Sequence, residues 1–239
     1  MKQSLILTPA FVLHYRPYSD SSLILELFTL DFGRITCIAK GVKKGKLRKA
    51  AILQPFIPLM ISFSGKGEVK TLRDCESVEN GFRFEGQILY SAYYINELLL
   101  KFLHKNDVYH QLFAIYANLL KELSNSDNTE IQLRLFEMRL LTEMGLALQL
   151  THESDSLVPV NETKKYVYKV EDGPVEITSS IELQGNEVMV HGESLLALAQ
   201  ETFEKKIHLQ EAKKLMRYVI KYHLDGYQFK SREFFISKF

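Results

Sequence analysis

The sequence predicts an α+β protein in which a small β-barrel precedes a helical domain that carries a short β insertion. Three observations lead to this prediction. The first 80 residues contain five short runs of strand character, apolar residues then recur at helical spacing from about residue 87, and a strand pattern returns after residue 150. The predicted domains are a barrel over residues 1–80, a helical domain over 81–150 and 190–239, and the insertion over 151–189.

Five runs within residues 1–80 have the length and composition of β-strands. They cover residues 11–15, 23–29, 35–39, 55–63 and 68–73. Residues 31–34 have turn character, so the second and third runs are predicted to form a hairpin, and the glycines at 65 and 67 separate the last two runs. Five short strands joined by glycine-containing turns suit the five-stranded OB-fold barrel.

The helical domain begins where apolar residues take up a period of three to four positions. Asp107 is predicted as the N-cap of the second helix, and Thr129 with Gln132 as a capping box that starts the third. Gly145 is expected to end that third helix. The predicted helices cover residues 87–103, 108–123, 129–144, 194–204 and 210–224, and the insertion contributes strands at 163–170 and 175–177.

Composition limits the class of protein and its surroundings. The chain has 239 residues, of which 46% are hydrophobic and 25% are charged, as is typical of a folded globular protein. Residues 1–80 hold 12 Lys and Arg against 7 Asp and Glu although the net charge is only +1, which favours a polyanionic partner for the barrel. Two cysteines and the lack of an apolar run of about 18 residues lead us to expect a cytoplasmic protein with no membrane partner.

The densest basic segment joins the third and fourth predicted strands, over residues 40–49. Two glycines and no acidic residue accompany its six basic side chains, which are Lys40, Lys43, Lys44, Lys46, Arg48 and Lys49. Side chains of this kind can follow a phosphate backbone. The alternative is a solvated loop without a partner. A P-loop is excluded because the glycine spacing is too short and Leu47 stands where Ser or Thr would hold magnesium.

Motifs that carry catalytic chemistry are not found in the sequence. There is no Gly-x-Ser-x-Gly, no His-Glu-x-x-His and no Cys-x-x-Cys, and the seven histidines are scattered. The nearest approach to a metal cluster is His152 with Glu153 and Asp155, which we do not interpret as a metal site. We therefore predict a protein that is not an enzyme and that uses neither metal nor cofactor.

Aromatic residues are plentiful, with 12 Tyr and 15 Phe. Four of them in the predicted barrel have two possible roles, stacking on unpaired nucleobases or packing in the core, and packing is the more frequent one: Tyr15, Tyr18, Phe32 and Phe63. The tyrosines at helical spacing are expected to be packing residues: Tyr90, Tyr93, Tyr94, Tyr109 and Tyr116.

Segments distributed over nearly the whole chain resemble the bacterial RecO family. The likeness is densest near the N-terminus, where it includes AFVLHYRPYSDSS at residues 10–22 and SGKGEVKTL at residues 64–72. Residues 150–190 do not share it. The other matching segments lie at residues 25–29, 33–34, 39–43, 48–59, 93–99, 134–145 and 231–235.

The resemblance implies an OB-fold barrel, a helical domain and a small zinc-finger-like module. It implies a recombination mediator of the RecF pathway that binds single- and double-stranded DNA, anneals complementary strands and helps to load the strand-exchange protein onto coated single strands. The expected partners are DNA, RecR and the acidic C-terminal tail of the single-stranded-DNA-binding protein, at the nucleoid. Many members carry four cysteines in the module, but residues 150–190 have none, so we predict a module without zinc.

Charge pattern and resemblance together predict two binding sites. The DNA site is centred on the basic segment 40–49, with Arg34, Lys66 and Lys70 as weaker candidates on neighbouring barrel loops. The partner tail is assigned to the helix at 129–144. In that helix Arg134 and Arg139 would bind the terminal carboxylate and Phe136 would line an apolar slot. The alternatives for the carboxylate are Lys101, Lys105 and Lys121.

Competing interpretations stay open at this point. Arg139 has Glu143 at i,i+4 and so has an intrahelical partner available. For the whole protein, the alternative is a scaffold that docks repair partners through its helical domain and does not anneal DNA. A nucleic-acid enzyme with an OB-fold accessory domain would need a carboxylate cluster with a metal, and the sequence offers no recognisable one.

Overall fold

The computed structural model describes residues 7–42, 48–125, 128–154, 158–178 and 187–231, and five strands form its N-terminal part. These strands are β1 (Thr8–Tyr18), β2 (Ser22–Thr29), β3 (Gly33–Ala39), β4 (Leu59–Ser64) and β5 (Val69–Ser77). They close into a barrel with the order β1-β2-β3-β5-β4, in which β3 and β5 are parallel and the other pairs are antiparallel. The predicted α+β class and five-stranded barrel are confirmed.

Two features of the barrel differ from the prediction. Strand β4 begins at Leu59, after Pro55 and Pro58, because proline has no N–H to donate to a ladder. A five-residue helix, α1 (Arg48–Ile52), occupies the end of a basic segment that was expected to be a loop. Ile52 packs against the barrel core, which accounts for the local order.

The barrel interior is filled by alternate side chains of its strands. Leu25, Leu27, Cys37 and Ile61 are fully buried there. Burial of one aliphatic side chain of this size contributes about 1.5–3 kcal/mol, so this cluster is the main source of the barrel's stability. Burial also raises the pKa of the Cys37 thiol to about 12, which leaves that thiol protonated and unreactive.

Two helices cover one part of the barrel's outer surface, α2 (Gly86–Phe102) and α3 (His110–Asn125). The rings of Phe113 and Tyr116 pack on those of Phe11 and Phe28, with centroids between 5.1 and 6.2 Å apart. Aromatic pairs at such separations stabilise a fold beyond the area they bury. Helix α3 is therefore anchored on β1 and β2 by a cluster of four rings.

The loop between α2 and α3 explains why the predicted N-cap at Asp107 is wrong. Helix α3 starts at His110, and Asp107 lies against the β2–β3 turn instead. A Cβ at position 33 would lie 1.7 Å from the Asp107 carbonyl oxygen, so Gly33 is required there. Its φ of 61° also favours glycine.

The pattern of contacts divides the chain into two compact units. The first comprises Met1–Ser126 together with Phe229–Phe239, and the second comprises Asp127–Gln228. Helices α2 and α3 thus share a unit with the barrel, whereas the sequence grouped them with the later helices. Within the described residues, no helix is both long and apolar enough to cross a membrane.

The second unit combines three helices with a small antiparallel sheet. Its helices are α4 (Thr129–Glu143), α5 (Gly192–Ala199) and α6 (Lys206–His223). Its strands are β6 (Lys165–Lys169), β7 (Gly173–Glu176) and β8 (Val188–His191), in the order β7-β6-β8. Strand β8 was not predicted. Tyr166 and Tyr168 of β6 are buried and hold the sheet by packing.

The ends of α4 test the predicted helix signals. Gly145 follows the helix with a φ of 74°, which confirms the predicted stop. The predicted capping box is wrong by one residue, because Asn128 is the N-cap and its main-chain oxygen accepts from the Gln132 N–H. Since Thr129 is already helical, its hydroxyl does not take the N-cap position.

Candidate nucleic-acid interface

One row of outward-facing side chains crosses four strands of the barrel. The strand register places Arg16 beside Ile24, Ile24 beside Ile38, and Ile38 beside Thr71. Paired residues in a sheet share a face, and the next residue, Leu25, points into the core, so these four side chains point outward. We call Arg16, Ile24, Ile38 and Thr71 the open row. Arg16 is exposed and the other three are half-buried.

The adjoining part of the same surface is closed by the helices. Phe11, Phe28 and Arg34 are neighbours in the register of β1, β2 and β3, and the two phenylalanine rings lie under α3. The Nη1 of Arg34 donates to the main-chain oxygen of Leu100 in α2, and its Nε is buried. The structure thus argues against the predicted phosphate contact at Arg34, because its guanidinium holds a helix.

A β-bulge separates the closed part from the open row. The register of β1 on β2 shifts between Val12 and His14, which leaves the carbonyl of Leu13 to be satisfied outside that ladder. Asn96 Nδ2 donates to this oxygen at 3.0 Å, and Tyr116 Oη donates to Asn96 Oδ1 at 2.7 Å. Burial raises the pKa of Tyr116, so its phenol remains a donor. These two hydrogen bonds fix the direction in which β1 continues toward Arg16.

The predicted barrel cations lie near opposite ends of β3 and β5. Lys40 is exposed directly after β3, whereas Lys66 is exposed in the β4–β5 turn and Lys70 is half-buried in β5. Because Cys37 pairs with Lys70 in the parallel ladder, Lys40 lies about 10 Å further along the strand direction. In B-form DNA this length corresponds to about three nucleotides of one strand.

The basic segment itself is described only at its edges. Lys49 on α1 is exposed, with its Nζ 3.0 Å from Asp74 Oδ1, and this hydrogen bond raises the pKa of Lys49 and lowers that of Asp74. Lys43, Lys44, Lys46 and the side chain of Arg48 lie outside the described residues. Their role in binding DNA stays a prediction.

Sequence reasoning did not include Arg16, Ile24 and Ile38 in the site. The predicted first strand stopped at residue 15, whereas β1 continues through Pro17 to Tyr18, paired with β2. The sequence signal that could have identified Ile24 and Ile38 is the alternation of side-chain direction along the second and third predicted strands. It places these two residues on the face opposite Leu25 and Cys37.

The aromatic residues divide between the core and the surface. Phe32 and Phe63 pack edge-to-face at 5.1 Å against the barrel core, which supports the packing interpretation for both. Tyr15 and Tyr18 are 36% and 49% exposed. Tyr93 is 43% exposed and is the exception among the five helical tyrosines that were expected to be packing residues.

The predicted tail-binding residues of α4 are used inside the second unit. Arg134 is 5% exposed, and its Nη2 donates to Glu137 Oε1 at 2.8 Å. Phe136 is 2% exposed, so it fills the core instead of lining an open slot. Arg139 is exposed and pairs with Glu201 at 3.1 Å, not with Glu143. The tail-binding role of Phe136 is therefore not supported by its position.

A small cavity between α4 and α6 lies beside Arg134. Its volume is about 30 Å³, and its lining residues are Glu130, Leu133, Arg134, Leu209 and Lys213. The Nε and Nη1 of Arg134 are buried and have no hydrogen-bond partner among the described residues. Lys213 Nζ lies 2.6 Å from Glu130 Oε1 and lowers the pKa of Glu130. A space of this size holds about one water, so it suits a carboxylate oxygen and not a phenyl ring.

Known proteins resemble the chain along almost its whole length. Residues 1–80 match the family model described as Recombination protein O N terminal, and residues 83–233 match Recombination protein O C terminal. The DNA repair protein RecO of Methylococcus capsulatus is 40% identical over 97% of this chain and 93% of its own length. Those of Photobacterium profundum and Yersinia pestis are 39% and 40% identical, over 95% of this chain and 94% and 92% of their own lengths.

The barrel and these matches together define the class of protein as a DNA repair protein with an N-terminal OB-type barrel. Both family models match consecutive parts of the chain, and the identity to relatives extends across both of those parts. The chain belongs to the RecO family.

Proposed function

We propose that this chain is a mediator that binds single- and double-stranded DNA and anneals complementary strands without covalent chemistry. The observation that carries the proposal is the open row, which includes Arg16, together with Lys40 two residues beyond Ile38. Both cations are exposed and have no ion-pair partner among the described residues. OB-fold barrels bind oligonucleotides on the face formed by strands β2 and β3 and with the loops that border this face. Ile24 and Ile38 offer apolar contact to bases, and the cations offer contact to phosphates.

Annealing follows from charge neutralisation on such a surface. Two single strands repel each other through their phosphates, and each phosphate that meets a cation releases its condensed counterions. A strand held by its backbone keeps its base edges available for pairing. The basic segment 40–49 would neutralise the second strand beside the open row. Neither a metal nor a nucleotide is needed for this process.

The test is the rate at which two labelled complementary oligonucleotides pair in the absence of metal and nucleotide. Wild type should accelerate pairing, and the double change Arg16→Ala with Lys40→Ala should reduce that acceleration. The matched control removes two exposed cations of the second unit, Lys165→Ala with Lys169→Ala, and should behave as wild type. No acceleration by wild type would refute annealing, and retained capture of repair partners would then favour the non-annealing scaffold.

The proposal extends to loading of the strand-exchange protein onto coated single strands at the nucleoid. The family resemblance supports RecR and the acidic tail of the single-stranded-DNA-binding protein as partners. For the tail we propose that the terminal carboxylate enters the cavity beside Arg134 and Lys213, while its aromatic ring lies outside. Because Glu130 already holds Lys213, the tail carboxylate has to compete with the Glu130 carboxylate.

Titration of the tail peptide tests this placement. Lys213→Ala should weaken binding, and Glu130→Gln should tighten it several-fold because the competing charge is removed. Arg139→Ala is the control, since Arg139 is paired with Glu201 and does not line the cavity. If both cavity variants bind the peptide like wild type, the tail site is elsewhere. If wild type does not bind the peptide at all, this partner is wrong.

A further inference from the structure

Two partly exposed tyrosines, Tyr15 of β1 and Tyr93 of α2, are neighbours on the surface of the first unit. Their exposed fractions are 36% and 43%, whereas Tyr94 and Tyr116 on the same helical layer are buried. Burial is the main cause that raises the pKa of Tyr93, and the phenol of Tyr15 lies close enough to raise it further. Asn96, one turn along α2 from Tyr93, donates to the main-chain oxygen of Leu13, two residues before Tyr15. Both rings therefore present part of their surface to solvent in the same region of the first unit.

Three phenylalanine rings pack in series beneath Tyr93. Tyr93 packs edge-to-face on Phe56 at 5.1 Å, and Phe56 packs in the same way on Phe84 at 5.3 Å. Phe84 lies parallel to Phe82 at 6.2 Å. Rings that are held in place before a ligand arrives lose little conformational entropy when it binds.

The backbone at Phe56 is strained, and the contacts that hold this conformation also fix the positions of the phenylalanine rings. Phe56 has a φ of 67°, a left-handed conformation that costs a bulky residue about 1–3 kcal/mol. Its main-chain oxygen accepts from the Phe82 N–H at 3.0 Å, and a Cβ at Gly81 would approach Ile57 Cγ1 to 2.6 Å. Such strain persists where surrounding structure enforces it, and it concentrates at binding sites.

The edge of β1 beside Tyr15 is accessible to a polymer chain. Residues 14–18 of β1 pair with β2 alone among the described residues. Successive residues of a strand point to opposite faces, so Arg16 belongs to the open row while Tyr15, which pairs with Leu25, belongs to the opposite face of β1. Arg83 is also exposed between Phe82 and Phe84, although Glu85 is exposed nearby. The surface therefore combines apolar rings with flanking cations.

We propose that Tyr15 and Tyr93 form a stacking surface for unpaired nucleobases, distinct from the open row. A single strand that crosses the edge of β1 would place a phosphate at Arg16 and the next base on Tyr15 or Tyr93. Every base has an aromatic face that stacks on such rings, whereas the bases of a duplex are already stacked on one another. The surface thus selects unpaired over paired DNA, and this role rests on the proposed DNA binding.

The chain contains no Trp, which allows a clean fluorescence test. Tyr93→Trp introduces one reporter at the surface, and Tyr222→Trp introduces a matched control at a 48% exposed tyrosine of the second unit. A thymine oligonucleotide should quench the reporter at position 93 and leave that at 222 unchanged. An abasic oligonucleotide of the same length should bind through its phosphates without quenching at position 93.

Affinity measurements complete the test. Tyr15→Ala with Tyr93→Ala should lower single-strand affinity about tenfold or more, leave duplex affinity unchanged and leave the salt slope unchanged, since no ionic contact is removed. The double change to Phe should retain wild-type binding, which separates loss of the rings from loss of the fold.

Three results would overturn the inference. Absence of quenching, together with unchanged affinity in the alanine variant, refutes it while the proposed DNA binding stands. Quenching by a peptide but not by the oligonucleotide assigns the surface to a protein partner instead. A wild type that binds no single strand at all refutes the proposed function and this inference together, so the failures are distinguishable.

Discussion

The two units differ in how often their cations are paired with carboxylates. In the first unit Arg16, Lys40 and Lys66 are exposed without an ion-pair partner among the described residues. In the second unit cations are joined to carboxylates in a series of pairs: Arg134–Glu137, Arg139–Glu201, Lys164–Glu176, Lys205–Glu193 and Lys213–Glu130. A cation that is already neutralised has less to offer a phosphate. The difference between the units is one of degree, because Lys49 of the first unit is paired with Asp74 and the second unit also has exposed cations outside these pairs, such as Lys165 and Lys169.

Burial decides which of these pairs matters for stability. Exposed ion pairs contribute about 0–1 kcal/mol each because water and salt screen them. Arg134 and Glu137 differ, since their side chains are only 7% and 1% exposed. Removal of one partner from a buried pair takes away the charge that compensates the other.

The largest expected effect comes from breaking that buried pair. Arg134→Ala should lower the free energy of unfolding by about 3–5 kcal/mol, because Glu137 would remain buried and charged. Arg139→Ala removes an exposed pair on the same helix and should cost about 1 kcal/mol or less. Urea unfolding of the two variants checks this difference. Equal costs would contradict the distinction between buried and exposed pairs.

The next effect concerns the cations available for DNA. Changing Lys43, Lys44, Lys46 and Arg48 together to Ala should weaken single-strand binding at low salt by on the order of 100-fold. If all six basic residues of segment 40–49 contact phosphates, the slope of log affinity against log salt is roughly −4 in wild type and about 3 shallower in this variant.

The control for this variant removes the same charge from the second unit. Four of the exposed cations of that unit are Lys165, Lys169, Lys214 and Lys221. Their joint change to Ala should leave affinity and slope close to wild type. If the two quadruple variants weaken binding equally, overall charge and not the basic segment carries the DNA affinity.

The barrel could be predicted from sequence because its determinants are local. Strand composition and turn glycines sufficed for five strands, and the parallel pairing of β3 with β5 completes the OB-type order. Strand β8 and helix α1 were not predicted because they are short and follow segments without clear periodicity. Their order depends on tertiary packing, as with Ile52 against the barrel core.

The candidate site was harder to predict because charge and exposure are separate properties. Arg34 and Arg134 have the residue type that binds phosphates or carboxylates, yet one holds α2 and the other is paired in a core. Tyr93 shows the reverse case, since its helical spacing indicated packing and its ring is 43% exposed. Which side of a helix faces a neighbour depends on long-range contacts that a single sequence does not specify.

A smaller effect should follow from the neutral hydrogen bonds that stabilise the first unit. Asn96→Ala leaves the Leu13 carbonyl and the Tyr116 hydroxyl without their buried partner, so it should cost about 1–3 kcal/mol. Tyr116→Phe removes one of the two bonds and should cost less. Urea unfolding measures both, and salt should not change either value. A marked salt dependence would show that charge stabilises this unit as well.

The last prediction is that the second unit loses stability to acid before the first. Burial tends to raise the pKa of Glu211, but hydrogen bonds from the His191 main chain and the His191 ring hold it below its usual value. The partners Lys213 and Lys205 likewise lower the pKa of Glu130 and of Glu193. A carboxyl with a lowered folded pKa stabilises the fold above its unfolded pKa of about 4.3, and that stability is lost as pH falls through the folded value.

Tryptophan reporters introduced at positions 93 and 222 allow each unit to be followed separately in urea between pH 7 and pH 3. The reporter at 222 should lose its folded signal at lower urea as the pH falls below about 4.3, with a smaller change at 93. Glu211→Gln should make the acid dependence at 222 shallower, because one proton-linked group is removed. Asp74→Asn is the control, since Asp74 is a largely exposed carboxylate of the first unit and its pair with Lys49 contributes little. Identical acid dependence at both reporters, unaffected by Glu211→Gln, would show that carboxylate pairing does not distinguish the two units.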